Sequence, residues 1–385
     1  MSRRVRIVAT ATTPFRKRFD GSVDALGALA VRSLLQTSGL DPAHVDEAYV
    51  GTSKGGSLIG QRALRFAGLA TGLPIVNVEN ACASSATAFH LAHRSVASGA
   101  VESALVLGVD QLSTLGSGAL PVQDTEWDGT AGITNPVVYA MRAQRYLHET
   151  GASVEDLAAV SVKSRRFASL NPNAQMRVPT TVEEVLASRP VADPLTLFQC
   201  SAKSDGAAAL VVMSDERARA LGLDGPVVRA TALASGAFSM APRDVVRPDI
   251  TLRASAAAFE QAGLGPADLD VVELHDAFSI AELLYTEELG LCEDGAGAAH
   301  VTSGASSSLD AGASALVNPS GGLLSRGHPI GATGAAQLVE LVTQLEGRAG
   351  ARQRQDARVA LAHVTGGGAS GFDNGACCVT VLTRD

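Results

Sequence analysis

The chain has 385 residues, 46% of them hydrophobic, 18% charged and 4% aromatic, with a formal charge of −8. That leaves room for two domains or one large duplicated unit, in the balance of a packed α/β enzyme and not of a disordered or fibrous chain. The acidic charge, with no basic run beyond "RRVR" and "RKR" near the N-terminus, argues against a nucleic-acid partner.

In chain order, "MSRRVRIVATATTPF" is basic, but its apolar stretch is short, rich in threonine and ends at Pro14, so it reads as a first strand and not as a signal peptide. Helical spacing follows over Val23–Ser38, and "VDEAYVG" (45–51) returns to strand, a β-α-β opening. "PIVNVEN" (74–80) is a β-branched run that stops before Cys82; small and apolar residues over 83–98 predict a buried helix, and "SALVLGVD" (103–110) the next strand. Residues 112–226 are richer in proline and polar residues. They read as an insertion folded as its own lobe, because a structureless loop of that length is foreign to a compact protein.

The second half repeats this grammar with "VVRATALAS" (227–235), a helix near 252–262, "DVVELHD" (270–276), a helix over 332–345, and strands "RVALAHV" (358–364) and "ACCVTVL" (376–382). A local echo supports duplication: "GLDPAHVDEAYVG" (39–51) lines up with "GLGPADLDVVELH" (263–275), each a Gly-Leu helix end, a Pro turn and an apolar strand. The chain thus divides into an N-terminal half over 1–111 with part of 200–226, an inserted lobe over 112–200 and a C-terminal half over 227–385. No stretch is long and apolar enough to span a membrane. The five cysteines (Cys82, Cys200, Cys292, Cys377, Cys378) are scattered without CxxC spacing, so no disulfide framework or zinc knuckle is expected and a reducing cytoplasm is the default. Cations are nearly all Arg, which with the many Ala and Gly suggests a GC-rich bacterial genome.

Four segments carry chemistry. Cys82 in "VENACASSATAF" stands at a helix start, where free N–H groups and the helix dipole favour a thiolate; its plain reading is a small buried hydrophobe. His328 lies in "NPSGGLLSRGHPIGATGAAQLVEL" (318–341), a tight Gly-rich turn that lacks both the Walker lysine and the GxGxxG order. It reads as a histidine presented at a helix start, or as a turn histidine bonded to backbone. His275 and Asp276 close the run "VVEL", the strand end where open α/β sheets hold ligands, although Asp276 also suits a cap for the helix that follows. Lastly, "AHVTGGGASG" (362–371) reads as a strand running into a glycine turn whose N–H groups suit an oxyanion.

In this order the four segments resemble the thiolase superfamily, within it the sterol-carrier-protein-type thiolases and their bacterial relatives. The resemblance runs essentially end to end, through "NACASS", "SAKSDGAAALVVMSDERARALG" (201–222), "HDAF", "NPSGG…GHPIGATG" and the terminal glycines. It implies duplicated β-α-β-α-β halves in a five-layered α-β-α-β-α core. It also implies an acyltransferase that loads an acyl group from acyl-CoA onto Cys82, with His328 as the base for the thiol and His275 beside it on the carbonyl of the second substrate. The N–H of Cys82 and of Gly366 or Gly367 would bind the oxyanion. Coenzyme A is then a substrate thioester, with no permanent cofactor and no metal. Partners implied are a second copy or a higher oligomer, formed through the N-terminal sheets, and in some bacterial relatives a small OB-fold subunit.

The sequence departs from the pattern at the second thiol that condensing thiolases use to remove an α-proton. One branch carries it just before the terminal glycines, where this chain has Val364 and Thr365; the sterol-carrier branch carries it in the His-Asp-Cys-Phe segment, where this chain has Ala277. Cys377 and Cys378 lie beyond, in a terminal strand. Either His363 serves as the base, or the acceptor is already nucleophilic. Two further readings stay open: an aldol-type lyase on CoA-ester side chains working with the OB-fold partner, and a non-catalytic CoA-ester-binding subunit. Arg142, Arg145, Arg165 and Arg166 are candidates for the CoA phosphates, against the plain reading of solvated surface arginines.

Overall fold

Each half of the chain lays down five strands. In the computed structural model, which describes residues 3–69, 72–116, 118, 120, 130–237, 244–247, 249–369 and 373–385, the first half gives β1 (Val5–Thr12), β2 (Glu47–Gly51), β3 (Ile75–Val78), β4 (Ser103–Gln111) and β7 (Asp205–Ser214). The second gives β8 (Val227–Ser235), β9 (Val271–Glu273), β10 (Leu316–Val317), β11 (Val359–Ala369) and β12 (Asp373–Thr383). Two short strands, β5 (Pro190–Ala192) and β6 (Leu195–Thr196), pair apart from these.

The strands run β3-β2-β4-β7-β1 in one half and β10-β9-β11-β12-β8 in the other. In both, the second strand is parallel to its two neighbours and the last is antiparallel to its own. The duplication expected from the local echo is therefore a duplication of topology. The echo itself has a structural basis: Gly39 (φ 66°) and Gly263 (φ 65°) each end a helix in the left-handed region, and each leads through a 3-10 turn, Pro42–His44 or Pro266–Asp268, into the second strand of its half. The halves meet edge to edge at one bridge, Arg6 with Val227, which makes the hydrogen-bonded order ten strands long.

The helices are α1 (Val23–Ser38), α2 (Ile59–Ala67), α3 (Ser84–Ser98), α4 (Asn135–Thr150), α5 (Val154–Ser169), α6 (Val182–Ala187), α7 (Asp215–Ala220), α8 (Asp249–Ala262), α9 (Ser279–Glu288), α10 (Gly297–Thr302) and α11 (Thr333–Leu345). α3 and α11 form the middle layer: Phe89 and Val96 of α3 and Leu338 and Leu341 of α11 share one core with Ile7 and Leu210 of the first half and Val271 and Leu382 of the second. α1 and α2 cover the other face of the first half, through Leu26, Leu34 and Ile59 on Val50 and Leu107. α8 and α9 cover the second, through Ala254, Ala258 and Leu283 on Val272 and Val379. The layers are thus α-β-α-β-α. A helix buried on both sides must be made of small and apolar residues, which is why "SSATAFHLA" carries no charge.

Two expectations change. β9 stops at Glu273, so His275–Ala277 forms a connection ahead of α9 and not the end of a strand. The terminal glycines are no turn: Gly366 and Gly368 sit inside β11, paired with Ala376 and Asn374 of β12. Between β4 and β7, α4 and α5 pack on the C-terminal half, and α6 packs on α5. α5 opens with a capping box, Ser153 with Asp156, and docks by its buried Lys163, whose Nζ donates to the Val317 carbonyl at 3.1 Å.

Candidate active site

Cys82 sits in a 3-10 turn, Ala81–Ala83, between β3 and α3. Ala81 has φ 47°, a conformation that costs energy for a side chain with a Cβ and that turns the backbone sharply just before Cys82. β11 crosses this turn at backbone distance. A Cβ on Gly366 would stand 2.2 Å from the Asn80 carbonyl oxygen and 2.8 Å from the Ala83 nitrogen, so only glycine lets the strand pass. Gly367, the next residue, directs its backbone N–H at the Cys82 sulfur, which also has the N–H of Cys82 itself. The two glycines proposed for the oxyanion therefore differ: Gly367 supplies a donor and Gly366 supplies clearance.

His328 is held from three sides. Its backbone N–H donates to Ser204 Oγ at 3.0 Å, its Nδ1 meets Thr333 Oγ1 at 2.7 Å, and the turn Ile330–Ala332 then leads into α11. Asp110, at the end of β4, fixes this turn against the first half. Its carboxylate accepts from Thr52 Oγ1 (2.7 Å), Lys54 N (2.8 Å), Ser53 N (3.1 Å) and Gly331 N (2.6 Å) while wholly buried. Burial pushes the Asp110 pKa up and these donors pull it back. The starts of α3 and α11 also bond directly, Ala335 N to Ser85 Oγ at 3.0 Å.

His275 arrives from the second half on the connection after β9, which is anchored by Asn318: Leu274 N donates to Asn318 Oδ1 at 2.9 Å, and Asn318 Nδ2 donates to Glu282 at 3.2 Å. Asp276 does not cap α9. The helix has no side-chain cap, and Asp276 Oδ1 accepts from Leu323 N at 2.7 Å instead. Ala277 is bound through its backbone, its carbonyl accepting from Ser201 N at 2.8 Å.

The sulfur of Cys82 and a ring nitrogen each of His275 and His328 lie within 4.8 Å of one another. The two imidazoles meet edge to face with centroids 5.2 Å apart. Cys82 keeps part of its surface open to solvent, as attack on a thioester needs, but protein crowds its flanks. That burial pushes the thiol pKa to about 12 against the pull of the Gly367 N–H. Burial likewise draws His328 down to about 3, and draws His275 well below the usual imidazole range, with the neighbouring His328 adding to the effect. Burial thus works against the thiolate that the helix start favours, raising the Cys82 pKa while lowering that of His328.

His363 is buried in β11 outside this group. Its Nε2 meets Thr251 Oγ1 at 3.2 Å, its ring packs on Tyr285 at 4.5 Å, and burial draws its pKa to about 3. Cys377 and Cys378 are buried, and Cys378 Sγ lies 3.6 Å from Thr87 Oγ1. Of the arginines, Arg142 and Arg165 are buried and not solvated: the first lies over the Tyr139 ring, the second over Phe198. Sequence reasoning passed over Asp110, Ser204, Thr333 and Asn318. Their signals were faint, a strand-ending Asp and the first residue of "NPSGG" among them.

A doubled α/β fold that brings two inner helix starts together over one thiol and two imidazoles is the frame of a cysteine-dependent acyl-transfer enzyme. Two family models match it, "Thiolase, N-terminal domain" over residues 5–216 and "Thiolase C-terminal domain-like" over 233–373, and the chain belongs to the thiolase family. It is 42% identical over 96% of its length to the benzoylsuccinyl-CoA thiolase subunit BbsB of Thauera aromatica, which it covers to 96%. It is 40% identical over 95% of its length to an acetyl-CoA acetyltransferase of Methanothermobacter thermautotrophicus, covered to 97%. Human sterol carrier protein 2 is 35% identical over 95% of this chain, which spans 71% of that protein. Among solved structures, one named "Ltp2-ChsH2(DUF35) aldolase" matches with a TM-score of 0.83 at 26% identity, over 100% of this chain and 98% of that one. The protein is thus an enzyme of the thiolase-like acyl-CoA acyltransferase family.

Proposed function

We propose that the enzyme takes an acyl group from an acyl-CoA onto Cys82 and passes it to a carbon acceptor without a second thiol. The observation that carries this reading is the trio within 4.8 Å, with the Gly367 N–H on the sulfur. With burial raising the Cys82 pKa and lowering that of His328, the Cys82 proton passes to His328 as the sulfur–carbon bond forms, in general-base fashion. The oxyanion of the tetrahedral adduct sits against the N–H groups of Cys82 and Gly367, and CoA leaves as its thiol with the proton from His328. In the second half-reaction an acceptor that already carries its nucleophilic carbon as an enolate attacks the Cys82 thioester carbon while His275 and His328 hold the enolate oxygen; the carbon–sulfur bond then breaks, and the Cys82 sulfur leaves as a thiolate and takes a proton from water. His328 lies within 4.8 Å of the sulfur, whereas His363 is engaged by Thr251 and Tyr285. A burst of free CoA equal to the enzyme concentration on mixing with an acyl-CoA, before any turnover, is the expected result; CoA release without a burst that needs the acceptor from the first turnover argues against a covalent carrier.

The aldolase-named structural neighbour favours a second reading, an aldol-type lyase acting with a DUF35 or other small partner subunit. Release of an aldehyde or ketone from a CoA ester with no CoA burst would select it. The free edge of β3, where Val76 is 45% exposed, supports pairing of N-terminal halves into a dimer, and the 112–200 lobe remains our assignment for the CoA-facing part.

A further inference from the structure

Directly behind His275 the protein buries five charged side chains: Glu273, Asp276 and Glu282, each with no exposed surface, and Lys163 and Arg326, at 6% and 4%. The two cations are both engaged. Glu282 pairs with Lys163 and accepts from Asn318 Nδ2. Glu273 pairs with Arg326 at 3.2 Å and accepts from Ser320 N at 2.9 Å and Ser320 Oγ at 2.7 Å. Asp276 receives the Leu323 N–H on Oδ1 alone; its Oδ2 has no partner, and no cation lies within ion-pair range among the described residues. Gly322 closes over that carboxyl so tightly that a Cβ there would stand 2.0 Å from Oδ2.

Full ionisation would therefore leave three buried negative charges against two positive ones, and an unpaired buried carboxylate costs far more than a buried carboxylic acid. We propose that Asp276 works as a neutral carboxylic acid, a positioning residue that ties the His275 segment to Leu323 without setting a negative charge beside the acceptor's enolate. The groups that face it agree in direction. Burial, Glu282 and Glu273 raise its pKa well above the carboxylate range, against the Leu323 N–H and Lys163. His275 beside it is kept neutral by its own burial and by His328, His363 and Arg326, so it offers no compensating charge. An ionised Asp276 would oppose the oxyanion that His275 must hold, since charges repel strongly where water is scarce. This part of the inference rests on the enolate-holding role proposed above for His275.

The test joins spectroscopy and kinetics on the full chain. The infrared difference spectrum of wild type minus Asp276→Asn at neutral pH is expected to show a carboxylic-acid C=O band. Glu282→Gln, which removes the excess negative charge, is expected to abolish that band as Asp276 ionises. Asp276→Ala, which loses the Leu323 tie, should lower kcat on the order of 10²-fold, and Asp276→Asn, which keeps a carbonyl oxygen for Leu323 and cannot ionise, should recover most of that loss. Absence of the acid band in wild type, or an Asp276→Asn variant as slow as Asp276→Ala, overturns the proposal. Failure of wild type to release a CoA burst would instead remove the acyl-carrier reading, with the infrared band still deciding the protonation of Asp276.

Discussion

In the N-terminal half, the 3-10 turn ahead of the buried helix α3 holds Cys82; in the C-terminal half, the matching turn ahead of α11 follows His328. Topology makes these turns equivalent, and the middle layer places them together, with Ala335 N bonded to Ser85 Oγ across the pair. One fold element, used twice, thus delivers Cys82 from one copy and His328 from the other, which the proposed mechanism uses as nucleophile and base. The second strands diverge in the same way. After β2 the chain gives up its N–H groups to Asp110, whereas after β9 it presents His275 backed by buried charge.

That division can be broken at its base first. His328→Ala should lower the rate of Cys82 acylation by roughly 10²–10⁴-fold, the usual worth of a general base, as measured by rapid-quench release of CoA. A loss of that size with the thermal midpoint maintained places the base in the second copy. Next comes the crossing of β11 over the Cys82 turn. Gly366→Ala sets a methyl group 2.2 Å from the Asn80 carbonyl oxygen and must displace one of the two, so acylation should fall on the order of 10²-fold with CoA affinity by calorimetry little changed.

Smaller effects sharpen the contrast in electrostatics. The C-terminal half buries His275, His328 and His363 with pKa values drawn below the usual imidazole value, the last two to about 3. Stability from such groups is complete above the unfolded value near 6.5 and is lost as pH falls toward the folded one. Glu273, raised to about 7, and Asp276 run the other way and lose stability as pH rises through their folded values. Urea midpoints between pH 6.5 and 4.5 should therefore show His363→Gln flattening the wild-type dependence by about 1.4 kcal/mol per pH unit; an unchanged slope would contradict the buried neutral state of His363. The slightest change concerns the missing thiol. Ala277→Cys restores sulfur where the sterol-carrier branch carries it, and is expected to speed deuterium exchange at the α-carbon of acetyl-CoA severalfold, read by mass spectrometry.

Much of this arrangement was legible in the residues. Cys82 after a β-branched run, His328 in a Gly-rich turn and His275 after "VVEL" were each visible as local patterns, and the echo of 39–51 in 263–275 pointed to the duplicated topology. What stayed hidden depends on partners far along the chain. Asp110 finds its donors at Thr52–Lys54 and at Gly331, so nothing local marks it. The glycines after Thr365 look like a turn because local rules assign glycine runs to turns, yet here they clear a path for a strand over Asn80 and Ala83. Arg142 reads as an ordinary helix-surface arginine until α4 packs it beside Tyr139 and Tyr285. The burial that opposes a thiolate at Cys82 was hidden for a related reason: the helix start is a local feature, whereas β11 and α11 reach the Cys82 turn from far along the chain.

The central claim, a covalent acyl carrier at the start of α3, is tested most directly by intact-mass and peptide mass spectrometry after brief incubation with an acyl-CoA. The account predicts one acyl mass added per chain, mapped to the peptide containing Cys82 and absent from Cys82→Ala. An unmodified wild-type enzyme, or an adduct that persists in Cys82→Ala, would contradict it.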